Sequence, residues 1–214
     1  MPEPKLKYAS LSVAVVAVLH FAGAILLMFS NGKVYEATTL LTPVNLLLTS
    51  ALVFYFQKDV SRGFLQFLSI GFLTGLGVEM LGVNTGLIFG QYTYGPVLGP
   101  QIWNTPFLIC LNWVLITYCI GCIVQNFSLP KWAKVFAGVS LLVLLDYFME
   151  PVAMKHNFWS WSNGSIPNQN YLGWACCGFI MMLLFFQLPF EKKNSVAVKV
   201  GLIQFGFFFI QNLF

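Results

Sequence analysis

Charged residues are the main absence in this sequence: they make up 8% of its 214 positions, where a soluble domain carries about a quarter. No soluble fold has an interior large enough to hide what is left, because 58% of the residues are hydrophobic. Histidine is nearly missing. His20 and His156 are too few for the histidine boxes of membrane di-iron desaturases and hydroxylases. There is no Asp-rich diphosphate motif, no P-loop and no G-x-G-x-x-G, which removes diphosphate and nucleotide substrates. The final apolar stretch has no lysine at its centre, since Lys199 stands at its start, so a retinal Schiff base is excluded. The five cysteines (Cys110, Cys119, Cys122, Cys176, Cys177) fall inside apolar stretches, which argues against a disulfide framework. Cys119 and Cys122 form a C-x-x-C without the second pair or adjacent His that a metal site needs, so no metal is expected.

What remains is the material of membrane spans. A spanning helix needs about 20 mostly apolar residues. Seven stretches meet the rule: Tyr8 to Phe29, Leu40 to Phe56, Phe64 to Val83, Pro106 to Val124, Trp132 to Met149, Tyr171 to Leu188 and Val196 to Leu213. Residues 1–214 therefore read as a single all-α polytopic membrane domain. Lys5 and Lys7 precede the first stretch as in a signal peptide, but its apolar core is too long and no clean cleavage site follows, so it reads as a true span. Basic residues fix the orientation. Lys5, Lys7, Lys58, Arg62, Lys131, Lys134, Lys192, Lys193 and Lys199 fall on the N-terminal side of the alternation, and only Lys33 and Lys155 on the other. The N-terminus is expected in the cytoplasm and the C-terminus outside, in a cytoplasmic (inner) membrane. The scattered positive charge does not form the patch that a nucleic acid would need.

Two connections on the outer side differ from the rest. Asn84 to Thr105 carries no charge and reads NTGLIFGQYTYGPVLGPQIWNT, and Glu150 to Asn170 contains NFWSWSNGSIPNQN. Both are rich in Gly, Pro, Asn and aromatics. Such irregular backbone is tolerated at membrane depth only where protein or a cavity covers it; the alternative is an interfacial belt of Trp and Tyr. The two segments also echo one another. Glu79 precedes Tyr92, Tyr94 and Pro100 by 13, 15 and 21 residues, and Asp146 precedes Trp159, Trp161 and Pro167 by the same intervals, an offset of 67. Spans three and five run the same way, so this is a candidate parallel repeat with its axis along the membrane normal.

Four of the seven acids lie at termini or in short connections, which leaves Glu79, Asp146 and Glu150 within spans or at their ends. Ionised groups there cost about 2.5–3.5 kcal/mol each on insertion scales, which marks them as functional candidates. No Lys or Arg stands close to them in their spans; Lys134 shares a stretch with Asp146 but lies at its opposite end. A carboxyl group in an apolar setting without a cationic partner tends to keep its proton, and so suits general acid catalysis. Asp146 and Glu150, four residues apart, would share a helical face, although Pro151 disfavours helical geometry at Glu150. The competing role for each acid is structural, as a hydrogen-bond partner to Asn84, Asn112, a tyrosine or backbone at a helix break.

The ordered blocks EMLGVNTGLIFGQYTYGPVLGP, PFLICLNW, LLDYFMEPVAMKHNFWSW and IPNQNYLGW, from about Glu79 to Trp174, resemble the carotenoid hydratase family. That family includes gamma-carotene hydratases and bisanhydrobacterioruberin hydratases. The chain departs from the pattern at one point, where Glu150-Pro151 stands in place of an Asp-Pro. The resemblance implies addition of water across the terminal C-1/C-2 double bond of an acyclic carotenoid end. Such an alkene has no polar handle, so the step begins with a proton delivered to C-2 and leaves a tertiary cation at C-1. Aromatic faces stabilise such a cation without attacking it, and Tyr92, Tyr94, Trp113, Trp159 and Trp161 are the candidates. Glu79 and Asp146 are expected as the acid and base pair, with Glu150 as a third candidate and Asn84 and Asn112 as water-positioning groups. The scheme needs no cofactor. Its partners are the polyene, water, the bilayer and, as a further expectation, other enzymes of carotenoid synthesis. An end-group cyclase and a non-enzymatic carotenoid carrier are the alternatives.

Overall fold

A computed structural model describes the backbone of residues 3–29 and 35–214 and the side chains of 8–28 and 41–214. Among the described residues there are seven α-helices: α1 (Glu3–Phe29), α2 (Tyr35–Tyr55), α3 (Arg62–Thr85), α4 (Phe107–Gln125), α5 (Lys131–Lys155), α6 (Asn168–Gln187) and α7 (Ser195–Gln211). Among the described residues, five helices are long and apolar enough to cross a membrane: Tyr8–Met28, Arg62–Thr85, Phe107–Gln125, Lys131–Lys155 and Asn168–Gln187. Two more apolar helices, Leu41–Tyr55 and Ser195–Gln211, are shorter. The protein is thus an all-helical membrane protein. The side chains of Lys5, Lys7 and Lys33 lie outside the described residues.

Helix α4 is apolar around its whole circumference and accordingly sits at the centre, packed by α2, α3, α5, α6 and α7. A helix with no polar face has to be enclosed by others or by lipid. Small residues set the closest approaches. A Cβ at Gly75 would lie 3.3 Å from Cβ of Trp113 on α4, and one at Gly71 would lie 3.2 Å from Met181 on α6. Gly71 and Gly75 therefore serve contacts within the chain.

The end of the bundle that carries the α2–α3 and α6–α7 connections is closed by a polar cluster. Tyr118 of α4 donates to Gln57, whose Nε2 donates to the carbonyl of Glu191 at 2.7 Å, and Asn194 donates to Tyr118 at 3.1 Å and to the carbonyl of Val53 at 2.9 Å. Asn194 also caps α7, accepting from the backbone of Val196 and Ala197.

The two long connections meet at the opposite end. Gly86 ends α3 in the left-handed conformation (φ 69°), donating to the carbonyl of Gly82, and the chain then enters strand β1 (Tyr92–Tyr94). A short 3-10 turn (Pro96–Leu98) and a tight hairpin of β2 (Gln101–Ile102) and β3 (Thr105–Pro106) lead into α4. Strand β4 (Trp159–Trp161) follows α5 and pairs antiparallel with β1, in the register Tyr92 to Trp161, Thr93 to Ser160 and Tyr94 to Trp159. Gly95 extends the junction. Its N–H donates to the carbonyl of Phe158 at 2.9 Å, and a Cβ there would fall 2.0 Å from the carbonyl oxygen of Asn157.

One expectation is corrected here. Helix α5 does not stop at Pro151 but runs through it to Lys155. Pro151 has no N–H to offer the carbonyl of Tyr147, yet its ring is accommodated near the helix end. Glu150 is consequently helical and buried, one turn beyond Asp146.

Candidate active site

The strand pair brings four aromatic side chains from two distant loops over the ends of α3 and α5, and both helices point a carboxyl group at them. Glu79 of α3 is 4% exposed. Its Oε2 accepts from the hydroxyls of Tyr92 at 2.7 Å and Tyr94 at 2.5 Å, and its Oε1 accepts from Nε1 of Trp113 at 2.7 Å. Burial first, then the neighbouring Glu79, pushes the Tyr92 and Tyr94 phenols well above their ordinary range, so both stay protonated as donors. Glu150 of α5 is 2% exposed. Its Oε2 accepts from Nε1 of Trp159 at 3.0 Å and of Trp161 at 2.8 Å, while its Oε1 has only a longer bond of 3.2 Å from Nδ2 of Asn170.

These two carboxyl groups share one small chamber, walled by Phe89, Tyr92, Tyr94, Trp159, Trp161 and Trp174 and closed by Asn170 and Ile109. Its volume is about 20 Å³. One water needs roughly 10–15 Å³ by the same measure, so there is room for about one. Ile109 and Trp159 also wall a second cavity of about 490 Å³, which extends between α1, α2, α4, α5 and α7 and is lined mostly by Leu, Val, Ala, Met and Phe. The arrangement is a pair of acids with room for one water, beside an apolar cavity of small-molecule size.

The expected residues fall into three groups. Glu79, Glu150, Tyr92, Tyr94, Trp159 and Trp161 come together at the chamber. Asp146 is fully buried but does not line it: its Oδ2 accepts from Asn170 at 2.7 Å, and its Oδ1 has no partner among the described residues. Trp113 reaches Glu79 from behind Trp174, on which it stacks with centroids 4.1 Å apart. Asn84 and Asn112 lie outside the chamber lining. Asn84 is exposed, donates to the carbonyls of Met80 and Trp103 and accepts from Asn104, so it fastens the β2–β3 hairpin. Asn112 faces the larger cavity, one helical turn inward of Ile109. Asn170, Trp174 and Phe89 were missed. Asn170 stands in the IPNQNYLGW block and faces the acids because α6 packs along α5, which its spacing alone does not reveal.

A family model described as carotenoid biosynthesis protein matches residues 41–213. The chain belongs to that family. A bisanhydrobacterioruberin hydratase of Haloarcula japonica is 29% identical over 125 residues, covering 53% of this chain and 41% of that protein. The chain thus matches less than half the length of this curated relative. No solved structure matches. The membrane helices, the family and the hydratase relative agree with the resemblance carried by the Glu79–Trp174 blocks. The region matched by the family model takes in both chamber acids and all of the chamber walls.

Proposed function

We propose that this protein hydrates the terminal C-1/C-2 double bond of an acyclic carotenoid end group, and that Glu79 and Glu150 are its acid–base pair. The observation that carries the reading is the convergence of both carboxyl groups on a one-water chamber that shares Ile109 and Trp159 as walls with an apolar cavity.

Hydrogen bonding supports a division of roles. Glu79 accepts three bonds of 2.5–2.7 Å, two from phenols and one from an indole, so both of its oxygens are held by donors and it suits the part of the base. Glu150 has one oxygen bound to two indoles and the other held only at 3.2 Å, which leaves Oε1 as the place for a transferable proton. Glu150 delivers that proton to C-2, and the π electrons of the alkene form the new C–H bond. The tertiary cation at C-1 faces Trp and Tyr rings, whose attraction for a desolvated cation is about 2 kcal/mol or more. Water held beside Glu79 forms the C–O bond and gives its proton to Glu79. The net addition is one water, and passage of the proton from Glu79 back to Glu150 restores both groups and completes the cycle. No cofactor enters the scheme.

The same reading includes seven spans with the N-terminus in the cytoplasm. Its support is the seven apolar helices and the gathering of Lys58, Arg62, Lys131, Lys134, Lys192 and Lys193 at the connections opposite the chamber, as the positive-inside rule requires. The test is mass spectrometry of pigments from cells that make lycopene or gamma-carotene, with and without the protein and its Glu79→Gln variant. A gain of one water that the variant abolishes supports the hydratase. An unchanged mass with new ring absorption assigns a cyclase, and unchanged pigments assign a carrier.

A further inference from the structure

Asn170 is 2% exposed and stands in the first turn of α6. Its backbone is held there by its neighbour: Gln169 donates to the carbonyls of Gly86 and Leu87 at 3.1 and 2.6 Å, which fastens the start of α6 to the turn between α3 and β1. Its side chain is held as well. Nδ2 donates to Oδ2 of Asp146 at 2.7 Å and to Oε1 of Glu150 at 3.2 Å, so both amide hydrogens are spent on carboxyl groups. A flipped amide would set its carbonyl oxygen against Oδ2 of Asp146 and lose the shorter bond. Asp146 itself is fully buried and lines neither cavity. Its one side-chain hydrogen bond among the described residues is the one from Asn170.

That leaves Oδ1 of Asn170. It accepts no hydrogen bond among the described residues, and protein does not seal it off. The space that Asn170 lines is the chamber. The donors there are committed to the acids: the phenols of Tyr92 and Tyr94 to Glu79, and the indoles of Trp159 and Trp161 to Glu150. A buried amide oxygen without a donor is costly, and a tie between α5 and α6 would need only Nδ2. Because the chamber of about 20 Å³ takes about one water, every group that lines it is a neighbour of that water. A buried water needs at least two polar partners. With one O–H given to Glu79 and the other to Oδ1 of Asn170, both of its hydrogens are placed and a lone pair is left to attack C-1.

We propose that Asn170 positions the attacking water through its amide oxygen, and that Asp146 is a positioning residue that holds this amide in its working orientation. The proposal rests on the hydratase reading for what the water does. In the experiment, purified, detergent-solubilised protein acts on an acyclic polyene in D₂O, and mass spectrometry scores added water and deuterium in the unhydrated polyene separately. Asn170→Leu lowers hydration about 10- to 100-fold while the unhydrated polyene gains deuterium. Glu150 still delivers a deuteron to C-2, and the uncaptured cation gives up a proton from C-2 to Glu79, which restores the alkene. Asp146→Leu produces the same split, and Asp146→Asn, which keeps the accepting oxygen, holds hydration within about tenfold of the unaltered protein. Should Asn170→Leu fail to accumulate, Asn170→Ala carries the same expectation. Hydration that survives loss of the Asn170 amide within about twofold, or hydration and exchange that fall together in the Asn170 and Asp146→Leu variants alike, overturns the assignment. If the unaltered protein neither hydrates nor deuterates the polyene, the hydratase reading fails instead, and a crystal structure scores the water site by itself. Ordered water bonded to Oδ1 of Asn170 upholds the site, and a chamber without it overturns the site.

Discussion

Replacing Glu150 by Gln and Asp146 by Asn separates two accounts of the acid pair. The sequence echo at an offset of 67 equates Asp146 with Glu79; the geometry equates Glu150 with it. In Glu150→Gln the amide oxygen still accepts from Trp159 and Trp161, and Asn170 can turn its own amide to receive the new NH₂ group, so the loops stay in place. What disappears is the transferable proton. General acid–base groups contribute about 10²- to 10⁴-fold, or roughly 2.7–5.4 kcal/mol of barrier, and turnover falls by that range.

Asp146→Asn removes much less. The oxygen that accepts from Asn170 at 2.7 Å is retained, and the new NH₂ group takes the place of Oδ1, which has no partner to lose. The carboxyl group lines neither cavity. Turnover therefore falls by less than about tenfold, a loss of under about 1.4 kcal/mol in transition-state stabilisation. The assay is water gained per unit of membrane protein, by mass spectrometry of extracted pigment, with protein amount fixed by immunoblot. If Asp146→Asn abolishes hydration while Glu150→Gln keeps more than a tenth of it, the reasoning from chamber geometry is wrong.

Three other perturbations probe the scaffold. Gly95→Ala drives a methyl group against the backbone oxygen of Asn157, 2.0 Å from the Cβ position. Overpacking of this kind costs about 1–3 kcal/mol, so thermal unfolding in detergent followed by circular dichroism shifts down while helix content at low temperature is unchanged. Ile109→Trp adds bulk at the wall that the two cavities share and lowers turnover at least tenfold, whereas Ile109→Val leaves it within about twofold; both are read by pigment conversion. Trp113→Phe keeps the stack on Trp174 but removes the 2.7 Å donor to Glu79. A bond to a charged group is worth about 1.5–3 kcal/mol, so kcat drops by about 10- to 150-fold with KM little changed in a solubilised assay.

The helices were legible because apolar runs and basic residues both alternate along the chain. The expected stretch from Tyr8 to Phe29 and the helix that ends at Phe29 agree, as do Phe64 to Val83 and the span Arg62–Thr85. Chamber aromatics were legible in part because Y-x-Y and W-x-W put two rings on one face of a strand. The asparagines misled. A polar residue at a helix end reads the same whether it turns toward a cavity or, like Asn84, back onto a neighbouring loop. Trp174 and Asn170 were hidden for another reason: what aims them at the acids is the packing of α6 on α5 and α4, and no local pattern encodes it.

The position of Asp146 outside the chamber has a structural cause. In the β1–β4 register the central pair is Thr93 and Ser160, which are separated by the same 67 residues as the sequence echo, and their hydroxyls meet at 3.2 Å. Antiparallel segments that cross a twofold axis at right angles pair in this way. The helices agree with such an axis: α3 packs on α4 as α5 packs on α6, and α3 touches α6 as α5 touches α4. An offset taken from the strands carries back to the helices only if the intervening turns are equally long, and they are not. Residues 86–91 join α3 to β1, but only 156–158 join α5 to β4. Measured from the helix ends instead, Glu79 lies six residues before Thr85 and Glu150 five before Lys155, while Asp146 lies nine before it. Symmetry about the strand pair therefore selects Glu150 as the counterpart of Glu79, and leaves Asp146 one helical turn deeper, where it supports Asn170 from behind.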